Sequence, residues 1–189
     1  MNVYDFDKTV RRGDSTVHFT LWCLRHHPRT ALSLLGTLPK ALGWKLGLCS
    51  LTAFKRRLFR YLRYVPDMDA ELAAFWQAEE KLLRPWYLAQ KRPDDVIISA
   101  SPEFLLRPMC EKLGVMLLAS PVDARTGEFS GANCQGAEKV RRFYAAFPRG
   151  HAEAFYSDSL SDTPMAQEAD RAFLVRGDRL SPWPQKKTQ

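Results

Sequence analysis

The chain has 189 residues, of which 46% are hydrophobic and 26% are charged, and its formal net charge is +7. These proportions are ordinary for a globular protein, and the length suffices for one domain with a sizeable core. There is no internal repeat and no low-complexity tract, which excludes repeat arrays and compositionally biased chains.

Cysteine usage and the start of the chain indicate a cytoplasmic protein. The cysteines are far apart and form neither a C-x-x-C pair nor a His-linked metal spacing, so we expect reduced thiols. A predicted strand is reached within five residues, which leaves no room for a cleaved leader. The four cysteines are Cys23, Cys49, Cys110 and Cys134.

Positive charge is concentrated in one interval of the chain. No Asp or Glu occurs between Asp14 and Asp67, while the same interval contains nine lysines and arginines. Such a block should create a positive potential that attracts anions and raises their encounter rate. The nine are Arg25, Arg29, Lys40, Lys45, Lys55, Arg56, Arg57, Arg60 and Arg63.

The predicted elements begin with a strand over 2–5 and continue with helices over 14–90. Asp14 or Ser15 can cap a first helix that stops near Pro28. A leucine-rich stretch follows over 30–48, and the stretch over 51–64 is periodic, with apolar residues on one side and basic residues on the other. A fourth helical stretch covers 67–83.

From residue 91 the pattern changes to alternating strands and helices. We predict strands over 96–99, 115–118, 154–156 and 172–175, helices over 103–113, 138–147 and 164–169, and a hairpin over 123–129. This alternation indicates a doubly wound parallel α/β sheet, with the preceding helices forming an inserted all-helical layer. The tail after Ser181 is expected to lack regular structure.

Two aspartates stand where the first predicted strand ends. Asp5 lies at its carboxyl end and Asp7 follows in the turn, within Val3-Tyr4-Asp5-Phe6-Asp7-Lys8-Thr9. Ligands bind at the carboxyl ends of strands in open α/β sheets. Two close carboxylates repel, and a divalent cation would relieve that repulsion. One could attack an electrophile while the other transfers a proton.

Three further stretches place polar groups at the ends of predicted strands or at the start of a predicted helix. Ser99 ends a β-branched run, Lys139 lies in a predicted helix, and Asp158 and Asp162 follow the strand-like run Phe155-Tyr156-Ser157. Ser101 is interpreted as a helix cap before Pro102.

This order of groups, spanning residues 3–162, resembles the haloacid dehalogenase superfamily of phosphohydrolases. The resemblance implies a Rossmann-like core over 1–13 and 91–189 with a helical cap over 14–90. It also implies that Asp5 is the nucleophile, forming an aspartyl phosphate, and that Asp7 is the general acid and base. Lys8 occupies a place where many relatives have Gly.

The resemblance further implies a magnesium site and a phosphate site. Mg²⁺ would be held by the Asp5 carboxylate, the Asp7 backbone carbonyl and Asp158, with Asp162 close behind, ordering metal-bound water or Lys139. Phosphoryl oxygens would be bound by Thr9, Ser99 and Lys139.

The substrate stays open between two kinds of phosphate ester. The phosphoserine phosphatase-like branch uses a Glu nine residues after the nucleophile to hold an ammonium group, and here that position is Asp14. The cap region also resembles phosphatidylglycerophosphatase C, whose members carry a longer hydrophobic segment. The uncharged run over 30–39 is too short to span a bilayer, but the leucine-rich, cationic stretch over 30–64 could lie on an anionic membrane surface.

A non-catalytic, basic anion-binding module is the alternative from another class. The intact set of candidate catalytic groups argues against it. No recognised nucleic-acid motif accompanies the basic residues, so no nucleic-acid partner is expected. Phosphoryl transfer to an acceptor other than water uses the same core set within the superfamily and remains open.

Overall fold

A computed structural model describes residues 1–184 of the chain, with Leu38 described by its backbone alone. In this part, strands and helices alternate after a long helical insertion. The strands are β1 (Asn2–Tyr4), β2 (Val96–Pro102), β3 (Met116–Ser120), β4 (Ala152–Ser157), β5 (Ala169–Arg176) and β6 (Arg179–Pro182).

The helices fall into an inserted group between β1 and β2 and a group between the later strands. The inserted group comprises α1 (Ser15–His26), α2 (Thr30–Leu35), α3 (Leu38–Lys45), α4 (Leu51–Leu58), α5 (Met68–Glu79) and α6 (Pro85–Gln90), with 3₁₀ segments at Phe59–Tyr64 and Glu80–Leu82. The later group comprises α7 (Glu103–Leu113), α8 (Ala137–Ala146) and α9 (Thr163–Ala166), with a 3₁₀ segment at Leu160–Asp162.

The strands form one sheet in the order β3-β2-β1-β4-β5-β6. All neighbouring pairs are parallel except β5 and β6, which are antiparallel. The predicted doubly wound parallel α/β sheet is therefore confirmed. The order reverses at β1, since the chain runs outward to β2 and β3 and then returns to β4 on the other side. Such a switch point is where an open α/β sheet opens a crevice for a ligand.

Side chains of the central strands alternate between two apolar layers, as the period of a strand requires. On one face, Tyr4 stacks on Tyr156 with ring centroids 4.7 Å apart, and Tyr156 stacks on Phe173 at 5.0 Å. On the other face, Val3 and Phe155 belong to a separate buried cluster. Both layers exclude water from the strands, which fixes the register that places the polar groups at the strand ends.

The inserted helices are not all separate from the sheet. Tyr87 of α6 packs edge-on against Tyr4 at 5.0 Å, and Trp76 of α5 donates a hydrogen bond from Nε1 to the Leu105 carbonyl at 2.7 Å. Both belong to the same buried cluster as the sheet residues. The division into a core and a cap at 14–90 stays a prediction, and α5 and α6 extend the apolar core beneath it.

The C-terminal region differs from the prediction. The tail after Ser181 was expected to lack regular structure, but Pro182 ends β6 and the Trp183 backbone N–H donates to the Ala172 carbonyl at 2.8 Å. The Trp183 ring also packs against Phe155, with centroids 5.9 Å apart. The rest of that predicted tail, 185–189, lies outside the described residues. Among the helices of residues 1–184, none has the length and apolar character needed to cross a bilayer.

Candidate active site

Asp5 continues β1 by one residue and projects its carboxylate from the strand end. Its backbone N–H donates to the Tyr156 carbonyl at 2.8 Å, so the residue is anchored to β4. One carboxylate oxygen, Oδ1, accepts a hydrogen bond from Lys139 Nζ at 2.7 Å. The other, Oδ2, accepts from the Thr9 hydroxyl at 3.4 Å. Each carboxylate oxygen of the predicted nucleophile thus accepts one hydrogen bond.

Lys139 joins Asp5 to Asp162. Its Nζ lies 2.7 Å from Asp5 Oδ1 and 2.7 Å from Asp162 Oδ2, and its side chain is 1% exposed. Ser157 at the end of β4 donates a second hydrogen bond to Asp162 Oδ2 at 2.7 Å. Asp162 therefore lies beside Lys139, as expected if its role is to order this lysine.

Asp7 faces the start of α1. Its Oδ1 accepts a hydrogen bond from the Ser15 backbone N–H at 2.6 Å, and its Oδ2 accepts one from the Ser101 hydroxyl. Asp14 caps the same helix by accepting from the Val17 N–H at 3.0 Å, as predicted. The first turn of α1 thus supplies backbone donors to both carboxylates, which is the anion-binding property of a helix N-terminus.

Thr9 and Ser99 are both fully buried. The Thr9 hydroxyl donates to Asp5 and accepts from the Asp158 backbone N–H at 2.9 Å, which connects the loop after β1 to the loop after β4. It is not among the residues that line the cavity described below, and its implied contact with phosphate stays a prediction. Ser99 does line the cavity, and its hydroxyl accepts from the Ser101 N–H at 3.1 Å.

The loop after Asp7 turns through a left-handed residue. Lys8 has φ +59°, a conformation in which glycine is favoured because it lacks Cβ, so the departure from the superfamily's Gly occurs where the backbone would suit Gly. Arg11, further along the loop, is fully buried and bonded to Glu79 of α5 and to the Arg12 carbonyl. These contacts attach the loop to the helices beneath it.

The candidate groups converge on one cavity of about 420 Å³ at the carboxyl end of the sheet. Its lining contains five aspartates and three lysines, which leaves an excess of two negative charges when all are ionised. The aspartates are Asp5, Asp7, Asp14, Asp158 and Asp162, and the lysines are Lys8, Lys55 and Lys139. The structure therefore brings together every predicted site residue except Thr9, which lies just behind.

Burial and mutual repulsion shift the titration of these groups. Burial raises the pKa of Asp5 to about 7, with the charge of Lys139 opposing the rise and that of Asp162 adding to it. Burial also raises the pKa of Asp7, and the nearby charge of Asp14 adds to this effect. For Lys139 burial disfavours the charged form, but the Asp5 and Asp162 carboxylates outweigh it and raise the pKa. Carboxyls that are hard to ionise are stabilised as anions by an added cation.

The residues present fit a magnesium ion by the chemistry of their donors. Asp5 and Asp158 supply carboxylate oxygens, which are hard ligands that Mg²⁺ prefers, and the excess negative charge of the cavity favours a divalent cation. Within residues 1–184, no group of three or more His, Cys, Asp or Glu side chains is arranged to hold a metal. The third protein ligand that the resemblance implies is the Asp7 backbone carbonyl, with water completing the shell.

Two site residues were missed or misinterpreted from the sequence. Ser101 was interpreted as the cap of α7, but this helix begins after Pro102 without a side-chain cap. The Ser101 hydroxyl instead donates a hydrogen bond to Asp7. Lys55 of α4 was seen only as one of a basic series, but its Nζ donates to the Ala100 carbonyl at 2.8 Å and to Asn133 Oδ1 at 3.2 Å. No signal in the sequence distinguishes it from Arg56, because its position depends on how α4 meets the sheet.

Comparison with known proteins agrees with this geometry. Residues 3–167 match the haloacid dehalogenase-like hydrolase family, and the chain belongs to that family. It is 31% identical over 183 residues to Protein CicA of Caulobacter vibrioides, covering 88% of this chain and 82% of that protein.

Solved structures share the fold at low sequence identity. A protein of unknown function from Bordetella pertussis Tohama I superposes with a TM-score of 0.73 at 18% identity, covering 91% of this chain and 87% of that one. A phosphoserine phosphohydrolase-like protein from Francisella tularensis subsp. tularensis SCHU S4 superposes with a TM-score of 0.54 at 14% identity, covering 91% and 86%. The family match thus confirms the expected superfamily, and these structures agree with the expected fold.

Proposed function

We propose that the protein is a Mg²⁺-dependent phosphomonoester hydrolase that works through an aspartyl phosphate on Asp5. The observation that carries this proposal is the buried Asp5–Lys139–Asp162 arrangement at the sheet's switch point, with Asp7 facing the same cavity. A carboxylate nucleophile, a cation beside it and a second carboxyl for proton transfer are what phosphoryl transfer requires.

In the proposed reaction, Asp5 attacks phosphorus while Asp7 donates a proton to the departing ester oxygen. Water then attacks the phosphorus of the aspartyl phosphate, and Asp7 accepts its proton, so that both residues return to their starting states. The hydrogen bonds from Ser15 and Ser101 hold Asp7 in position for both steps. Lys139 keeps a positive charge beside the reacting oxygens. When bound, Mg²⁺ would offset the charge that builds up on the phosphoryl oxygens.

For the substrate, a small phosphorylated metabolite such as phosphoserine is the first candidate. The fold shared with a phosphoserine phosphohydrolase-like protein supports it, as does Asp14 on the cavity wall, where an ammonium group could be held. A lipid phosphate is the second candidate, because part of the cavity lining is apolar and suits the hydrocarbon part of a lipid alcohol. This apolar part of the wall consists of Val17, Trp44, Leu51, Phe54 and Leu58.

The deciding experiment is phosphate release with Mg²⁺ from a panel of esters. O-phosphoserine and small sugar phosphates would be compared with phosphatidylglycerophosphate and lysophosphatidate in mixed micelles. We expect Asp5→Asn to abolish release, because the amide is a poor nucleophile, while Asp69→Asn on the exposed face of α5 keeps full activity. Activity retained by Asp5→Asn would remove the nucleophile assignment.

Metal dependence is tested separately. Chelation should stop release from the preferred ester, and added Mg²⁺ should restore it. Asp158→Asn should raise the Mg²⁺ concentration needed for half-maximal activity, since one hard ligand loses its charge. Phosphate binding without release from any ester, by folded wild-type protein, would instead support the anion-binding module.

A further inference from the structure

Six large apolar side chains on α2, α3 and the loop after α3 are exposed to solvent. We call them the leucine surface, and they are Leu32, Leu35, Leu42, Trp44, Leu46 and Leu48. Its five leucines are between 60% and 78% exposed. Single exposed apolar residues are ordinary, but six within seventeen consecutive residues are a patch of the kind that marks an interaction site.

The same two helices are anchored on their inner side by other residues. Thr30 and Thr37 are buried, and Leu34 packs against the main apolar cluster. One member of the leucine surface, Trp44, also stacks on Phe54 of α4, with centroids 5.6 Å apart and planes inclined by 7°, and it remains 41% exposed. The inward-facing residues of the two helices are therefore already packed against the rest of the protein. Turning the helices to hide the outer leucines would expose this inner set.

Cations accompany the leucine surface, and carboxylates do not. Arg29, Lys40 and Lys45 are all exposed and lie within or directly before its helices. No Asp or Glu occurs between Asp14 and Asp67, so none of this segment's own side chains can neutralise them. The combination of exposed leucines, an aromatic ring and lysines is that of an interfacial membrane helix.

We infer that the leucine surface docks the protein onto an anionic lipid bilayer. The leucines would enter the boundary between headgroups and acyl chains, and the lysines and arginine would contact anionic headgroups. A second copy of the chain fits less well, because a two-fold contact through this surface would bring the cations of one copy against a segment that has cations and no carboxylate in the other.

Docking in this way would also orient the cavity. Trp44 belongs to the leucine surface and lines the cavity together with Leu51 and Phe54. The apolar cavity wall therefore adjoins the membrane-facing side. The inference itself does not depend on the proposed catalytic function, since binding to lipid can be measured without turnover.

The test is sedimentation of the full-length protein with sonicated vesicles in low salt. Vesicles of equal parts phosphatidylglycerol and phosphatidylcholine should carry the protein down, whereas phosphatidylcholine alone should not. Leu42→Ser with Leu46→Ser should weaken partitioning at least tenfold, and so should Lys40→Ser with Lys45→Ser. Added salt should weaken binding of the wild type, because it screens the headgroup charge.

Matched controls come from other exposed positions. Leu21→Ser with Leu88→Ser removes two leucines that are 54% and 44% exposed on α1 and α6, and partitioning should not change. Circular dichroism verifies that each variant is folded. Absence of sedimentation at low salt, or wild-type partitioning by the Leu42 and Leu46 variant, overturns the inference. A dimer in analytical ultracentrifugation that this variant converts to monomer also overturns it, since another copy would then cover the surface.

Discussion

Lys139 is shared equally by two carboxylates, because its Nζ lies 2.7 Å from both Asp5 and Asp162. Asp5 lies on the strand that opens the chain, and Asp162 lies far along it after β4. The lysine thus neutralises the Asp5 carboxylate and, at the same time, holds two distant segments together. Both functions depend on a single buried cation, so they should fail together when it is removed.

Replacement of Lys139 by Met should destabilise the protein by about 3–5 kcal/mol, because two buried carboxylates lose their cation. Asp162→Asn should cost less, since Asp5 still neutralises Lys139 and the amide keeps a hydrogen-bond acceptor. Urea denaturation measures both free energies of unfolding. Lys81→Met, at an exposed position, is the control and should change stability by less than about 0.5 kcal/mol. Equal stability of the Lys139 and Lys81 variants would contradict this interpretation of the buried cation.

The Ser101 hydroxyl should contribute to turnover rather than to binding. It donates to Asp7 Oδ2, so Ser101→Ala leaves the carboxyl held by the Ser15 N–H alone. We expect kcat to fall about tenfold with KM nearly unchanged, because misplacement of a general acid affects the chemical step. Steady-state kinetics on the preferred ester measures this. Ser130→Ala, at an exposed loop position, should be indistinguishable from wild type. An unchanged kcat in Ser101→Ala would exclude the positioning role.

Lys55 should affect substrate affinity. Lys55 Nζ donates to two neutral acceptors, the Ala100 carbonyl and the Asn133 amide oxygen. Its positive charge is therefore available to an anionic substrate in the cavity. Burial lowers its pKa, while the charges of Asp14, Asp7 and Asp5 oppose the change. Lys55→Met should raise KM about tenfold.

The neighbouring Arg56 provides the matched control for Lys55. It lies on the same helix but is exposed, so Arg56→Met removes one positive charge without touching the cavity. Its effect on KM should be less than twofold at moderate salt, because exposed charges are screened over such distances. If both variants raise KM equally, the cap acts through its overall potential, and Lys55 has no specific contact.

Gly127 should tolerate no side chain, because the turn over 123–129 presses against the inserted helices. A Cβ added at Gly127 would lie 2.3 Å from the Phe59 carbonyl oxygen, and the residue has φ +74°. Gly127→Ala should therefore destabilise the protein by more than about 2 kcal/mol. Gly47→Ala is the control, with φ +72° but nothing within 4 Å, and should cost only about 1 kcal/mol. Thermal unfolding measures the stability of both variants. Equal losses of stability would show that the Phe59 backbone moves away from the added Cβ at no energetic cost.

The parts of the fold and site that were predictable rest on local patterns. Short apolar runs gave the parallel strands, and polar groups near the ends of three of these runs gave Asp5, Ser99 and Asp158. By contrast, β6 is short, and its side chains are exposed, so it shows no apolar alternation. The Gly177-Asp178 pair, with φ +60° at Gly177, was the turn signal that could have revealed it.

The interpretations of Ser101 and Lys55 failed for a different reason. Each side chain is defined by a partner far away in the chain, Asp7 for Ser101 and Ala100 for Lys55. No periodicity or spacing within a local window carries that information. The packing of α4 and of the first turn of α1 over the strand ends determines these contacts, and this packing is a property of the whole tertiary structure.

The position of β1 has a consequence for synthesis of the protein. Of the six strands described, it is the first to leave the ribosome, but it lies in the middle of the sheet between β2 and β4. Its neighbours emerge only when residues 96–102 and 152–157 have been made. Until then the strand has unpaired edges, and Asp5 lacks the lysine that neutralises it. A nascent chain released before Asp162 would therefore lack the completed Asp5–Lys139–Asp162 arrangement, and its exposed first strand would make it a substrate for chaperones.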